Sequence, residues 1–470
     1  MGVTRQIRQT LKRWWSRLIF YDDIARAEEV RPSLSPEMGR ALALWRALYR
    51  DRAPWKRPGT VRSLNLAAAA AGEIARQVTM ELDWDIRPAG GDGARADFLK
   101  AQFAGLTRAL RQKLEAGCAA GGMIVKPWPD PATGRIYFDF AMDWSLFPIA
   151  FDGEGNLVDV ILPDEYRDGE VIYTRLERHR FEAGQVTITQ RAFRSTREGC
   201  LGRPVPLNSV PRWAALAPEA TITGVDGPLF GWFRVAAANS VDGGCPMGAS
   251  VYARATEVLE QVDLQYSRLL WEFEGGELAV DVDPTALLPR PGGGEALPRL
   301  NQRLFRAVDT GAEGTYQVFA PALRDASLIN GLNQLLMRFE DLCGLSRGTF
   351  SDADRQARTA TELRLARQRS YATVADNQRA LERCLRDALR AMDRYATLYH
   401  LAPEGEWEAD FRWDDSVLVD TGAQLEERLR LVAAGALGAD ELRAWYLGES
   451  GERARAAVAA LRAGERGSAG

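Results

Sequence analysis

Between residues 251 and 401 the chain switches period several times, in an order that strongly limits its architecture. Residues 251 to 274 set Val251, Ala255, Val258, Leu259, Val262, Tyr266, Leu269, Leu270 and Phe273 on one helical stripe. The other faces carry Glu257, Glu260, Asp263, Glu272 and Glu274 against only Arg254 and Arg268, so this helix has an acidic side. A second helix is predicted over 323 to 342, with Leu328, Leu332, Leu335, Leu336, Phe339 and Leu342 as its stripe. Between them, Gly275 to Ala322 holds short strand patterns at Glu277–Val282, Leu304–Val308 and Thr315–Phe319 around a Pro291-Gly-Gly-Gly294 loop. A helix leading out, a small β element and a helix leading back make a stalk with a tip. The insert falls near the size at which a domain rarely holds a core alone, roughly 40 to 50 residues, so its sheet is expected to be completed by neighbouring copies.

A polar loop then joins two helices. It carries Gly344 and Gly348, sets Arg347, Arg355 and Arg358 around Phe350, and ends in Thr359-Ala-Thr-Glu362, a capping-box signature. This predicts a mobile, exposed loop held at a fixed place. The helix that follows, 359 to 401, would run ~60 Å unbroken. Its apolar face is Leu381, Leu385, Leu389, Met392, Ala396 and Tyr399, whereas Arg364, Arg367 and Arg369 dominate its first half.

Upstream, Pro36 to Leu114 reads as helical, with Leu42, Trp45, Leu48 and Tyr49 at helix spacing and an alanine-rich helix from Leu64 to Met80. After Gly117 the period becomes two. Strands are predicted at Met123–Pro127, Arg135–Phe140, Leu157–Leu162, Val171–Arg178 and Gln185–Gln190, with turns at Asp130–Gly134 and Asp152–Asn156, in a meander reaching about residue 240. Downstream come a strand-like Trp407–Trp413, the acidic Asp414–Asp420, two short helices to Tyr446 and a tail expected to be flexible. The fold class is α+β, mostly α.

At 470 residues the chain exceeds one ordinary core and should form several subdomains. No apolar run approaches the ~18 residues that cross a bilayer. The basic start (Arg5, Arg8, Lys12, Arg13) followed by Trp14-Trp15 reads as an amphipathic helix that packs on the protein or a partner. Five cysteines, an odd number without a CxxC pair, encode neither a disulfide framework nor a zinc site and fit a reducing cytoplasm. A net charge of −4 argues against coating nucleic acid through bulk positive charge.

Catalytic chemistry has little to work with. The two histidines, His179 in a strand that looks exposed and His400 at a helix end, must supply any imidazole base. GxxxxGK[ST], HExxH and a strand-following GxGxxG are absent, and so is a GxSxG elbow, since Gly344-Leu-Ser-Arg-Gly348 has those letters but follows a helical pattern rather than a strand. Asp152-Gly-Glu-Gly-Asn156 superficially resembles the start of a calcium loop but lacks the later bidentate Glu, and reads as a hairpin turn. Asp414, Asp415 and Asp420 could gather a divalent ion, although a strand end and helix cap account for them. No enzyme, metal or cofactor is expected. The arginines from Arg347 to Arg369 are the remaining candidates for nucleic acid, through phosphate rather than base edges.

Three separated blocks carry a resemblance. Cys245-Pro-Met-Gly-Ala-Ser-Val-Tyr-Ala-Arg through Phe273 resembles the approach to the first stem helix of tailed-phage portal proteins, and the helix itself. Ser346-Arg-Gly-Thr-Phe-Ser351, followed by Thr359-Ala-Thr-Glu-Leu363 and Tyr371-Ala-Thr-Val-Ala-Asp-Asn-Gln378, resembles the tunnel loop and the long helix after it. Trp413-Asp-Asp-Ser-Val-Leu-Val-Asp420 is similar to a further block in those proteins, and the nearest look-alikes are portals of siphophages from Gram-positive hosts.

The resemblance implies a homo-oligomeric, usually dodecameric, ring at one capsid vertex around a channel for double-stranded DNA. Residues 1–250 would be wing, 251–274 and 323–343 stem, 275–322 clip and 344–358 tunnel loop. The long helix would be 359–401, a wing strand and crown helices 402–448, and a flexible tail 449–470. Arg347, Thr349, Phe350, Ser351, Arg355 and Arg358 would meet DNA in the tunnel. Glu257, Glu260, Asp263 and Glu272 would line the stem, where like charge keeps DNA from sticking. Asp281, Asp283, Arg290, Arg299 and Arg303 would dock the terminase large subunit and then a head-completion adaptor. Major capsid and scaffolding proteins would be further partners, and the protein would reside in the virion after assembly in the host cytoplasm. Two other readings stand beside it: a metal-dependent nucleic-acid-processing enzyme using Asp414, Asp415 and Asp420, and a scaffold or adaptor without a channel.

Overall fold

The computed structural model describes residues 20–91, 93–282, 288–289, 295–296, 305–307, 316–352, 360–413, 421–447 and 451–467. The chain divides into two units: residues 1–80 with 85–410, and 81–84 with 411–470. The N-terminal amphipathic helix expected before residue 20 lies outside the described residues.

The larger unit begins with helix α1 (20–28) and α2 (Pro36–Tyr49). Ser35 accepts from the Met38 N–H at 3.1 Å and Pro36 occupies the first turn, so the start of α2 is written in its sequence. Helix α3 (Leu66–Thr79) buries Ala67, Ala70, Ala71, Ile74, Ala75 and Val78. That small-residue face lets it lie close against α4 (Ala94–Ala120), which answers with Leu99, Phe103, Leu106, Leu110 and Leu114. Between them is β1 (Leu82–Pro88), within a stretch whose sequence reads as helical. Leu82, Trp84 and Ile86 alternate there, and β1 pairs with β16 (Trp407–Trp413), the unit division falling within both strands.

Helix α4 ends at Gly121, whose φ of 94° suits glycine and whose backbone lies against that of Gly248 so closely that an added Cβ on either would meet the other's carbonyl oxygen, leaving neither position room for a side chain. There the chain enters an antiparallel sheet of order β10-β2-β3, formed by β2 (Gly122–Asp130), β3 (Arg135–Met142) and later β10 (Gly231–Arg234). A six-stranded sheet follows. Strands β4 (Phe147–Phe151), β5 (Leu157–Asp168), β6 (Val171–Glu182), β7 (Gln185–Ser195) and β8 (Arg203–Val205) run in order, and β9 (Glu219–Thr223) adds to β7. The predicted meander is therefore present, in two sheets rather than one.

The two sheets meet through buried charge. Lys126 of β2 donates to Glu177 of β6 at 2.7 Å, with both side chains under a tenth exposed, and Arg175 and His179 bond the same carboxylate at 3.0 and 2.7 Å. This cation surplus holds the Glu177 carboxyl well below its usual value despite its burial. His179, expected on an exposed strand, is buried because both faces of β6 are covered.

Beyond Tyr252 the helices α5 (Thr256–Gly275) and α6 (Asp325–Cys343) pack as a hairpin, Gln265 Nε2 donating to the Leu328 carbonyl at 3.2 Å. The first helix starts at Thr256 rather than 251, after a short 3-10 turn at Ala253–Ala255. Between the two helices, β11 (Ala279–Val282), β12 (Leu288–Pro289), β13 (Glu295–Ala296), β14 (Phe305–Ala307) and β15 (Tyr316–Phe319) form a three-stranded sheet of order β14-β11-β15 and a β12–β13 pair. Strand β11 is antiparallel to β15 and parallel to β14.

Helix α7 (Ala360–Leu398) buries Leu381, Cys384, Leu385, Ala388, Leu389, Met392 and Ala396 against β10 and β2, with Gly231 seated on the Cys384 carbonyl. Tyr399, expected on this face, lies past the helix end and is exposed. In the smaller unit, α8 (Thr421–Ala433), α9 (Ala439–Leu447) and α10 (Gly451–Gly467) follow β16. The flexible tail expected at 449–470 is replaced over most of its length by α10, which buries Ala454 and pairs Arg455 with Asp440 of α9 at 3.4 Å.

One strained turn yields a prediction. Ala183 and Gly184 join β6 to β7 with φ of 51° and 75°, the geometry of a type I′ hairpin, in which alanine is the poorer residue. Ala183→Asn should stabilise the protein by about 0.5–1 kcal/mol, raising the midpoint of thermal unfolding.

Candidate functional site

The loop after α6 is an ordered turn as far as Asp352. Gly344 closes the helix at φ 71°, a conformation that favours glycine, and a side-chain carbon there would collide with Thr373 Oγ1 of α7. Ser346 to Thr349 forms a β-turn, with the Ser346 carbonyl accepting from the Thr349 N–H at 3.2 Å and its hydroxyl at 2.6 Å. Glu340, in the last turn of α6, is 0% exposed, and its carboxylate accepts from the N–H groups of Gly348, Phe350 and Ser351 and from the Ser351 hydroxyl. Asp341 takes the Arg347 guanidinium at 2.7 and 3.2 Å. Asp352 exchanges two hydrogen bonds with Asn333, at 2.8 and 2.9 Å.

This corrects the expectation of a mobile, exposed loop over these residues. Phe350 is half-buried, its ring centroid 6.1 Å from that of Phe339, and Ser351 is buried. Arg347 is half-exposed but already paired. Arg355, Arg358 and Thr359 lie outside the described residues, while Arg364, Arg367 and Arg369 fall on α7.

The acidic side of α5 is also partly consumed within the chain. Asp263 is only 3% exposed and accepts from Trp55 Nε1 at 2.8 Å and the Leu64 N–H at 3.0 Å; burial raises its carboxyl above the usual value. Glu272 is buried against Arg324, whose side-chain and backbone N–H groups hold its carboxyl down at about 2. Neither is presented as a lining charge on this chain, because residues 55–64 strap across one side of α5 and Arg324 closes its end. Glu257 is exposed and Glu260 half-exposed. In the insert, Asp281 lies on β11 opposite Arg306 and Gln317. Asp283, Arg290, Arg299 and Arg303 lie outside the described residues.

Among the described residues no group of His, Cys, Asp and Glu could hold a metal ion, and no helix is long and apolar enough to cross a membrane. Asp414, Asp415 and Asp420 lie outside them. The Asp152 carboxylate accepts from Glu154 N, Asn156 N and Asn156 Nδ2 at 2.8–2.9 Å, so its oxygens close the hairpin turn. All five cysteines are free, and an open groove of about 1100 Å³ between α1 and strands β7 and β8 includes the half-exposed Cys200.

Two carboxylates matter more than their sequence context suggests. Glu340 had a signal, since an acid in the last turn opposes the helix dipole and needs donors from elsewhere. Asp143, just after β3, had none. It is 0% exposed, Trp232 Nε1 donates to its Oδ1 at 3.2 Å, and its Oδ2 has no hydrogen-bond partner. Burial, only partly offset by Arg234, pushes its carboxyl up to about 7.

No family model matches this chain, and no curated protein matches it. Among solved structures it is similar to a chain in the virion of a native gene transfer agent particle, at 13% identity over 92% of this chain and 99% of that one, with a TM-score of 0.38. It is also similar to a chain in the neck of a native gene transfer agent particle computed with C12 symmetry, at 14% identity over 91% and 98%, with a TM-score of 0.37. Likeness at this level fixes neither fold nor function.

Asp143 gives a pH prediction. Its folded-state value lies above the ordinary 3.8, so its contribution is greatest when the group is protonated and declines as pH rises from about 4 to about 7. Asp143→Asn should remove that decline. Relative to the variant, the wild type should lose up to about 1.4 kcal/mol per pH unit between pH 5 and 7, read from denaturation at each pH.

Proposed function

We propose that the chain is a phage-type portal subunit, a structural component of a virion head or neck that assembles in a ring around a channel for double-stranded DNA. The observation that carries this reading is the sequence of parts in the larger unit: a helical hairpin with a small β insert between its arms, an anchored turn, and then a 39-residue helix. The three blocks that resemble portal proteins fall on α5, on the turn with the first part of α7, and on the segment after β16. In this reading α5 and α6 are stem, the β11–β15 region is clip, and residues 344–358 are the tunnel loop. The clip docks a terminase large subunit during packaging and a head-completion adaptor afterwards, and the mature protein sits at one capsid vertex. It acts mechanically, without catalysis or a cofactor.

Exposed apolar side chains support contacts between copies. Trp271 (65% exposed), Phe273, Leu278, Val318, Leu323 and Ile329 collect at the insert end of the α5–α6 hairpin. Side chains of that size in such a group are characteristic of surfaces that another protein covers. The exposed Glu257 and half-exposed Glu260 keep negative charge on α5, which suits sliding DNA better than a sticky basic wall.

Electron microscopy of the purified protein tests the reading. Closed rings with a central hole are expected, and a persistent monomer under assembly conditions would overturn it. Trp271→Glu should abolish rings while leaving the circular dichroism spectrum and melting temperature of the monomer near wild type. Phe350→Ala should leave rings intact and impair DNA packaging or retention; wild-type packaging by that variant would remove the turn from the mechanism.

A further inference from the structure

Two acids sit where a helix disfavours them. The C-terminal end of α6 carries the negative pole of the helix dipole, yet Glu340 and Asp341 occupy its last turn. Each is balanced by the turn that follows. The Glu340 carboxylate collects four donors from residues 348–351, and its carbonyl also receives the Leu345 N–H at 2.9 Å. Asp341 collects the Arg347 guanidinium. A buried carboxylate with so many converging donors is a template, because losing its charge leaves several N–H groups turned inward without an acceptor.

We infer that Glu340 is the positioning residue of the DNA-facing turn, setting the places of Phe350 and Arg347 through charge rather than through bulk. The inference rests on the portal reading for its consequence but not for its geometry. Asn333 contributes the second fixed point. It holds Asp352 seven residues earlier on α6, about 10 Å along the helix, so the turn runs back beside α6 toward the β insert. Arg347, spent on Asp341, acts as a strut of this turn, and its availability to a DNA phosphate depends on breaking that pair.

Three variants of the full chain separate the possibilities: Glu340→Gln keeps the volume and removes the charge, Glu340→Ala removes the acceptor, and Asn333→Ala releases the exit. Hydrogen–deuterium exchange is read over 345–352 and, as an internal control, over 326–339. Both Glu340 variants should speed exchange in 345–352 about tenfold or more, as loss of hydrogen bonds to a charged group predicts, with α6 protected and rings still formed. Wild-type protection in Glu340→Gln would show that bulk suffices and overturn the inference. Packaging should fall in step with the exchange rate across the three variants, and faster exchange with wild-type packaging would equally overturn it. Failure of the unmodified protein to form rings would instead refute the portal reading and leave the exchange result standing.

Discussion

The second half of α7 is the contact on which the larger unit depends. Eight of its side chains, from Leu381 to Ala396, are almost fully removed from water, and four of these are Ala or Cys rather than large residues. Small side chains let the helix backbone approach the strand backbone, and at Gly231 that approach is so close that a single methyl group would not fit over the Cys384 carbonyl. Because β10 is hydrogen-bonded to β2, the helix is locked to the sheet that begins where α4 ends. Further along, Asn377 accepts from the Ala236 N–H at 3.2 Å, and Ser370 reaches Gln77 of α3 at 3.2 Å. The helix is thus tied to both the strand and helix layers before it extends toward the turn.

Anchorage of this kind explains why the turn can be ordered although it is polar. Gly344 is fitted against Thr373 of α7, Leu345 is buried, and Glu340 and Asn333 take up the backbone groups that a surface loop would otherwise give to water. The same economy appears at Glu177, where Lys126, Arg175 and the His179 ring meet one carboxylate, and at Asp263, where an indole and a backbone amide do so. Asp143 is the exception. Burial pushes its carboxyl up, and with one donor and an orphaned oxygen it lacks the partners that would offset that burial.

Much of the local structure was legible. Period-two alternation marked β2, β3, β5, β6 and β7, and the helical stripes of α5 and α6 appear at nearly the predicted residues, as do the three longer strands of the insert. Strand β1 was missed because three alternating residues are too few to stand against a helical neighbourhood, and its partner β16 is more than 300 residues away. The C-terminal tail, expected to be flexible, is instead largely helical because α9 offers a surface for α10 to dock on. The candidate site was half legible. The turn residues were identified, but their exposure was not, since the groups that hold them come from α6 and α7.

What the sequence determined by itself was periodicity, turn chemistry and the order of elements, because those depend on neighbours within a few residues. Ser35 capping α2, Asp152 closing its hairpin and the apolar stripe of α5 needed nothing else. Tertiary structure alone decided which charges remain free. Asp263, Glu272 and Arg347 read in sequence as available groups, and each is engaged: Asp263 by residues 208 and 199 positions away, Glu272 by one 52 away and Arg347 by one 6 away. A charge is neutralised by whatever stands within a few ångströms of it, and that distance is set by how the layers pack rather than by the order of the chain.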